Sequence, residues 1–280
     1  MSKGKQKQKW NFIRYHKGSA LVRLLVWTGA VLTMSALTFL VGFLVIKGVR
    51  HLSPELFALE YHSENASMMP ALINTLMITL LALLIAVPLG VFAAVYLVEY
   101  ARRGSRMVRL IRITAETLQG IPSIIYGLFG MLFFCTALHW GYSMMAGAMT
   151  LVIMILPLII RTTEEALLGV PDLYREASLG LGAGKLRTIF RVVLPSAVPG
   201  ILSGVVLATG RIVGETAALL YTAGTVAKVP GRTLAVHMYV LSSEGLYMNQ
   251  AYATAIVLLL LVLMLNGAST LLARKFMRGR

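Results

Sequence analysis

The sequence predicts an all-α membrane protein with six transmembrane helices, on three observations. Apolar residues fill 58% of the 280 positions and charged residues only 13%, where a soluble domain carries about a quarter charged. The apolar residues gather into runs long enough to span a bilayer, about 20 residues for roughly 30 Å of hydrocarbon. The basic residues gather between those runs. A formal charge of +15 would suit nucleic acid if it lay on one continuous face. Split into blocks beside apolar runs it serves to orient the chain in a membrane, and no nucleic-acid partner is expected. The single Cys135 excludes an internal disulfide or a Cys-based zinc site.

Residues 1–23 form a basic tail with seven Lys and Arg, Lys3, Lys5, Lys7 and Lys9 among them, and no acid. The run behind it, Leu24–Ile46, is 23 residues without a charge. That exceeds the apolar core of a signal peptide, about 7–15 residues, and reads as a retained first span. Ala71–Val98 is the second span, with Pro88 and Gly90 near its middle. Residues 117–160 contain no Asp, Glu, Lys or Arg over 44 positions. As one helix they would reach about 66 Å, twice the bilayer, so the run must fold back. His139-Trp140-Gly141-Tyr142, with interfacial aromatics and a glycine, is the natural hairpin. Spans three (118–138) and four (143–160) flank it, and spans five (197–221) and six (251–273) complete the set.

The segments 1–23, 99–117, 161–196 and 274–280 hold 21 of the 26 Lys and Arg. The positive-inside rule then places both termini and the 161–196 loop in the cytoplasm. The outer connection 222–250 contains Lys228, Pro230-Gly231 and an apolar stretch, TLAVHMYVLS. It forms a short helix either lying on the outer face or dipping into it; both remain open.

Span five carries two charges, Arg211 and Glu215, which share a face if the helix continues through them. With Gly200, Gly204, Ala208 and Ala218 they follow spacings of 4, 4, 3, 4 and 3, one helical stripe. Small residues there permit close approach of a helix or leave room for solvent. The pair is either a packing salt bridge or a charged constriction in which Glu215 restrains an arginine that meets an anion. Ionisable groups inside a membrane default to function, which favours a substrate path. Pro88-Leu89-Gly90 and Gly120-Ile121-Pro122-Ser123 interrupt spans two and three. Such breaks are tolerated where protein or a watery cavity satisfies the freed carbonyls. Asn74, Gln119 and Ser123 are candidate lining groups, equally well explained by packing hydrogen bonds.

The polar stretch Arg175–Pro195 reads as helix, glycine turn and second helix. Gly180, Gly182 and Gly184 mark the bend, and Pro195 closes the basic run. Leu173, Ala177 and Gly180 fall at i, i+4 and i+7, a small apolar face suited to a soluble partner's groove. The turn is not a P-loop. Only three residues separate Gly180 from Gly184, and Leu186 stands where a magnesium-binding hydroxyl is required. No H-E-x-x-H or G-x-S-x-G pattern is present either, so the chain is not expected to be an enzyme. Arg161-Thr-Thr-Glu-Glu165 closes span four as an interface anchor with an Arg161–Glu165 pair.

Glu176-Ala177-Ser178, three residues, Gly182, nine residues and Val192-Val193-Leu194-Pro195 together resemble the EAA loop of bacterial ABC importer permeases. Ser178 replaces the third small residue and Val192 an isoleucine. Three further runs, Ile121-Pro122-Ser123-Ile124-Ile125-Tyr126-Gly127-Leu128-Phe129, Arg161-Thr-Thr-Glu164 and Arg211-Ile-Val-Gly-Glu215-Thr-Ala, look like the PstA-type permeases of phosphate importers. Ala218 stands where that family usually has proline. The resemblance covers residues 66–275 and implies a type I importer permease (MetI-like) architecture in the bacterial inner membrane. It implies that the 161–196 loop holds a coupling helix seated on an ATPase through Leu173, Glu176, Ala177, Ser178, Gly180 and Gly182. It maps Arg211 and Glu215 onto the translocation path, beside which Asn74 and Ser123 stand as lining candidates from the residues alone. It also implies a PstC-like partner permease, two PstB-like ATPase subunits that bind the ATP and Mg, and an extracytoplasmic phosphate-binding protein, with no cofactor held by this chain. Permeases for sulfate or molybdate share the loop, and a secondary transporter or channel would need no ATPase.

Overall fold

The computed structural model describes residues 17–62, 65–102, 104–226 and 231–278, and the regular elements among them are helices. Helix α1 is Lys17–Val49. A 3-10 turn at Pro54–Phe57 leads to α2, Met69–Val95, whose end widens into π geometry over Tyr96–Tyr100. Next come α3, Arg106–Gln119, and α4, Ser123–Gly130, the latter extended by a π stretch to Ala137. They are followed by α5, Met144–Leu168, and α6, Asp172–Gly180. Then α7 runs Lys185–Val213. The chain closes with α8, Ala217–Leu220, α9, Leu234–Glu244, and α10, Met248–Arg278. Among the described residues five helices are long and apolar enough to cross a membrane, six when the bent α3–α4 pair counts as one crossing. The Lys-rich head through residue 16, Lys228 and Pro230 lie outside the described residues.

α5 is the axis of the bundle. Its Leu151, Met154, Ile155 and Ile159 are buried against Ile78 of α2, Tyr126 of α4, Ile212 of α7, Leu219 of α8 and Val236 of α9. Lipid tails are as apolar as these side chains, so association in a membrane depends on close packing rather than on escape from water. Small residues supply that closeness. A Cβ on Gly90 would stand 2.6 Å from Ile159, and one on Gly200 2.6 Å from Ala166. Gly204 sits against Thr162 in the same way. The small residues of the stripe in α7 are therefore a packing face toward α5. α1 lies along α10, with Gly48 seated against Tyr252 and Ile256 and Phe43 edge-on to Tyr252 at 5.8 Å. Most of its other described side chains are exposed.

Four expectations are corrected. Pro88 does not interrupt α2, because a single missing N–H is tolerated in a helix supported on a neighbour and Gly90 is used for contact with α5. The third span does not begin near 118. Residues 106–119 form the separate amphipathic helix α3, and the apolar segment restarts at Ser123 after a 101° bend. Ile121, preceding Pro122, is pushed out of helical geometry, and Pro122 ends up just before α4, where its missing N–H costs nothing. Pro195 does not close a helix. α7 runs through it, with a π turn at Ile189–Val193 immediately upstream. The fifth span ends at Val213 rather than near 221, because Gly214 terminates α7. Over 222–250, α9 packs against the bundle: Leu234, Ala235, Val236, His237 and Leu241 are buried. Asn74 donates to the Arg232 carbonyl at 3.2 Å, and Leu234 N–H donates to Thr75 Oγ1 at 2.8 Å, fixing the start of α9 to α2.

Candidate functional site

Two regions carry the polar chemistry, one midway along the bundle and one at the end where α6 lies. In the first, Arg211 in the last turn of α7 is half-buried and lines a cavity of about 740 Å³ between α5, α7 and α10. Leu158, Val206, Leu207 and Val262 make most of the wall, and Ser203 and Asn266 are its other side-chain polar groups. Asn266 Oδ1 is buried and has no partner. No described carboxylate lies within ion-pair distance of Arg211, so its charge is not neutralised.

The expected Arg211–Glu215 pair is not formed. α7 ends between the two residues, and the turn at Gly214 removes Glu215 from the arginine's face. Glu215 is 8% exposed, and its carboxylate accepts a hydrogen bond from Ala218 N–H at 3.0 Å, capping α8. Asn74 is engaged with the Arg232 carbonyl, away from this cavity. Gln119 donates to the Pro157 carbonyl at 3.2 Å. Ser123 opens α4 directly after the 101° break. The break is held by Tyr126, whose hydroxyl donates at 2.7 Å to the Leu118 carbonyl, which also accepts from Ile121 N–H.

At the α6 end, charge is arranged in layers. The predicted Arg161–Glu165 pair forms at 2.7 Å, and Arg161 also reaches Glu116 of α3. Arg112 of α3 pairs with the buried Glu164. These pairs fix the amphipathic α3 to α5. None of the residues of α6 is buried. Leu173, Tyr174 and Leu179 are exposed, as are Glu176, Ala177, Gly180 and Gly182, whereas Ser178 is half-buried with its hydroxyl 2.9 Å from that of Thr188. Of the three glycines, only Gly182 has a left-handed backbone, φ 82°. Gly182 N–H bonds the Leu179 carbonyl and Ala183 N–H the Ser178 carbonyl, closing the end of α6.

The residue that the sequence reading missed is Glu99. It stands in the π-widened end of α2 and binds Arg175 through one carboxylate oxygen, at 3.0 Å from Nε and 2.8 Å from Nη2. The two are 76 positions apart, and each alone reads as an ordinary charge at a span's edge.

A bundle of membrane-length helices around a half-buried, unneutralised arginine, with an exposed amphipathic helix at one end, is the frame of a solute permease. A family model described as binding-protein-dependent transport system inner membrane component matches residues 86–278. The chain belongs to this family, the multi-pass inner-membrane permeases of ABC importers. It is 34% identical over 264 residues to a probable ABC transporter permease protein, YqgI, of Bacillus subtilis, a match covering 86% of this chain and 90% of that one. It is also 34% identical over 255 residues to the phosphate transport system permease protein PstA of Haemophilus influenzae, covering 86% and 89%. Among solved structures, a chain of a bacterial ABC transporter involved in import of the acidic polysaccharide alginate superposes with a TM-score of 0.69. That match covers 96% of this chain and 99% of the other at 17% identity, and it shows the shared fold.

Proposed function

We propose that this chain is the PstA-type permease subunit of an inorganic phosphate importer. It forms half of the translocation path with a PstC-like permease and is driven by two ATPase subunits seated on α6. An extracytoplasmic phosphate-binding protein delivers substrate at the opposite face, and both termini lie in the cytoplasm. The observation that carries this reading is α6 itself. A nine-residue helix with no buried residue, exposing Leu173, Tyr174 and Leu179 on the Glu176-Ala177-Ser178 … Gly182 … Leu194-Pro195 spacing, is a surface built for a partner. The substrate assignment is supported by Arg211, a planar guanidinium suited to an oxyanion and without an ion-pair partner among the described residues. It is supported as well by the PstA relative matched along most of both chains.

The test is reconstitution. The chain, co-expressed with its neighbouring subunits, should pull down an ATPase and take up radiolabelled phosphate into proteoliposomes only with ATP, and excess sulfate or molybdate should not compete. Competition by either oxyanion would reassign the substrate. Uptake without any bound ATPase would reassign the class to secondary transporter or channel.

A further inference from the structure

Of the links between α6 and the bundle, one is built far more heavily than its surroundings. Arg175 points away from the exposed face of α6, and its side chain is only 16% exposed. A guanidinium carries five N–H donors in a fixed fork, and here five contacts surround it. Nε and Nη2 donate to Glu99 Oε1 at the end of α2. Nη2 also donates to the Leu167 carbonyl at 2.9 Å, in the last turn of α5, and Nη1 to the Val170 carbonyl at 2.7 Å, in the link from α5 to α6. Nη1 reaches Asp172 in the first turn of α6 at 3.2 Å. Glu99 is 9% exposed. One side chain of α6 thus reaches the ends of two membrane helices, adding a second donor to the Leu167 carbonyl, which already accepts from Val170 N–H, and supplying one to the Val170 carbonyl. A second side-chain link from α6, Ser178 to Thr188, is a single hydroxyl contact.

We infer that Arg175 is the positioning residue that couples α6 to the spans: movement of α6 is carried through the guanidinium to α2 and α5 together. This rests on the reading of α6 as the ATPase docking helix. The geometry suits the task in two ways. A planar, fully bonded guanidinium resists both tilting and sliding, whereas a lysine ammonium is a single point on a flexible stem. The pair is also largely dry, so separating it strands a charge in a low-dielectric site and the two sides move as one. α2 carries Ile78, Ala82 and Ala86 into the same core cluster as Ile159 of α5 and Ile212 of α7. A displacement entering at Glu99 therefore has a packed route toward the turn of α7 that bears Arg211.

The experiment uses the whole reconstituted complex, with inorganic phosphate as probe, and measures bound ATPase subunits, ATP hydrolysis and phosphate uptake separately. Arg175→Lys keeps the charge and removes the fork. It should retain the ATPase subunits and hydrolysis within about twofold while uptake per ATP falls by about tenfold or more. Glu99→Gln keeps an oxygen acceptor and the fold, and should show the same uncoupling to a lesser degree. Unchanged uptake per ATP in both variants overturns the inference, as does a loss that merely tracks the amount of assembled complex. Docking is read independently by the double variant Leu173→Asp with Leu179→Asp, which should lose the ATPase subunits. If it keeps them, the docking reading fails rather than the role of Arg175.

Discussion

Arg211 holds a full charge in a cavity whose walls are mostly apolar, and holding an ion at such depth costs roughly 3 kcal/mol on insertion scales. No carboxylate among the described residues pairs with it to recover that cost, and on the proposed function the guanidinium serves the anion that passes it. Arg211→Gln keeps the volume and polarity and removes the charge. Phosphate uptake should fall by about tenfold or more, with the complex assembling normally, as measured by size-exclusion chromatography beside the uptake assay. His237 carries a second residue-scale prediction. It lies under Tyr61, with ring centroids 6.1 Å apart, and beside the buried Arg232. Burial first, then the charge of Arg232, pushes its pKa down to about 3 from 6.5, against the pull of a backbone hydrogen bond involving Ala66. The folded state therefore keeps His237 neutral while the unfolded chain protonates it. Stability from this site is complete above about pH 6.5 and declines as pH falls toward 3. Thermal unfolding in detergent should show the melting temperature dropping between pH 7 and 4.5, and His237→Leu should flatten that slope. An equal slope in the variant would remove His237 as the cause.

At the level of elements, the turn between α6 and α7 depends on one glycine rather than three. Gly182 adopts φ 82°, whereas a Cβ on Gly180 or Gly184 would meet nothing within 4 Å. A left-handed conformation costs an L-residue about 1–2 kcal/mol, so Gly182→Ala should loosen the turn and speed amide exchange across 172–188. Gly180→Ala, at a helical position, should slow exchange slightly or leave it unchanged. Hydrogen–deuterium exchange by mass spectrometry separates the two. The turn was legible because glycines and a Leu-Pro at fixed distances are local signals, and spans one, two, four and six were legible from the length of their apolar runs. What stayed hidden depends on neighbours. Pro88 and Pro199 sit inside helices that the bundle supports. Spacing alone placed Arg211 and Glu215 on one face because nothing local announced that α7 stops at Gly214. Leu118 and Tyr126 bridge a break that reads only as a Gly-Ile-Pro interruption.

Across the whole molecule, the ion pairs Arg112–Glu164, Arg161–Glu116 and Arg175–Glu99 cluster at the end that carries α6. The other end holds the 3-10 turn, the packed α9 and the approach to α10. Leu181, 90% exposed, tips the first end, and Leu246, 83% exposed, tips the second. α2 links the two ends: Thr75 near its start holds Leu234 of α9, and Glu99 beyond its last turn holds Arg175 of α6. A helix of that length covers the hydrocarbon thickness of a bilayer, so the two leucines must face opposite compartments. On the proposed orientation, which follows the excess of Lys and Arg on the α6 side, Leu181 is inside and Leu246 outside. In a Cys135→Ala background, Leu246→Cys should react with a membrane-impermeant maleimide in intact spheroplasts, and Leu181→Cys only in inverted vesicles. Labelling of both from one side would break the bundle topology. The reverse pattern would keep the bundle but turn α6 away from ATP, leaving its exposed leucines without the partner proposed for them.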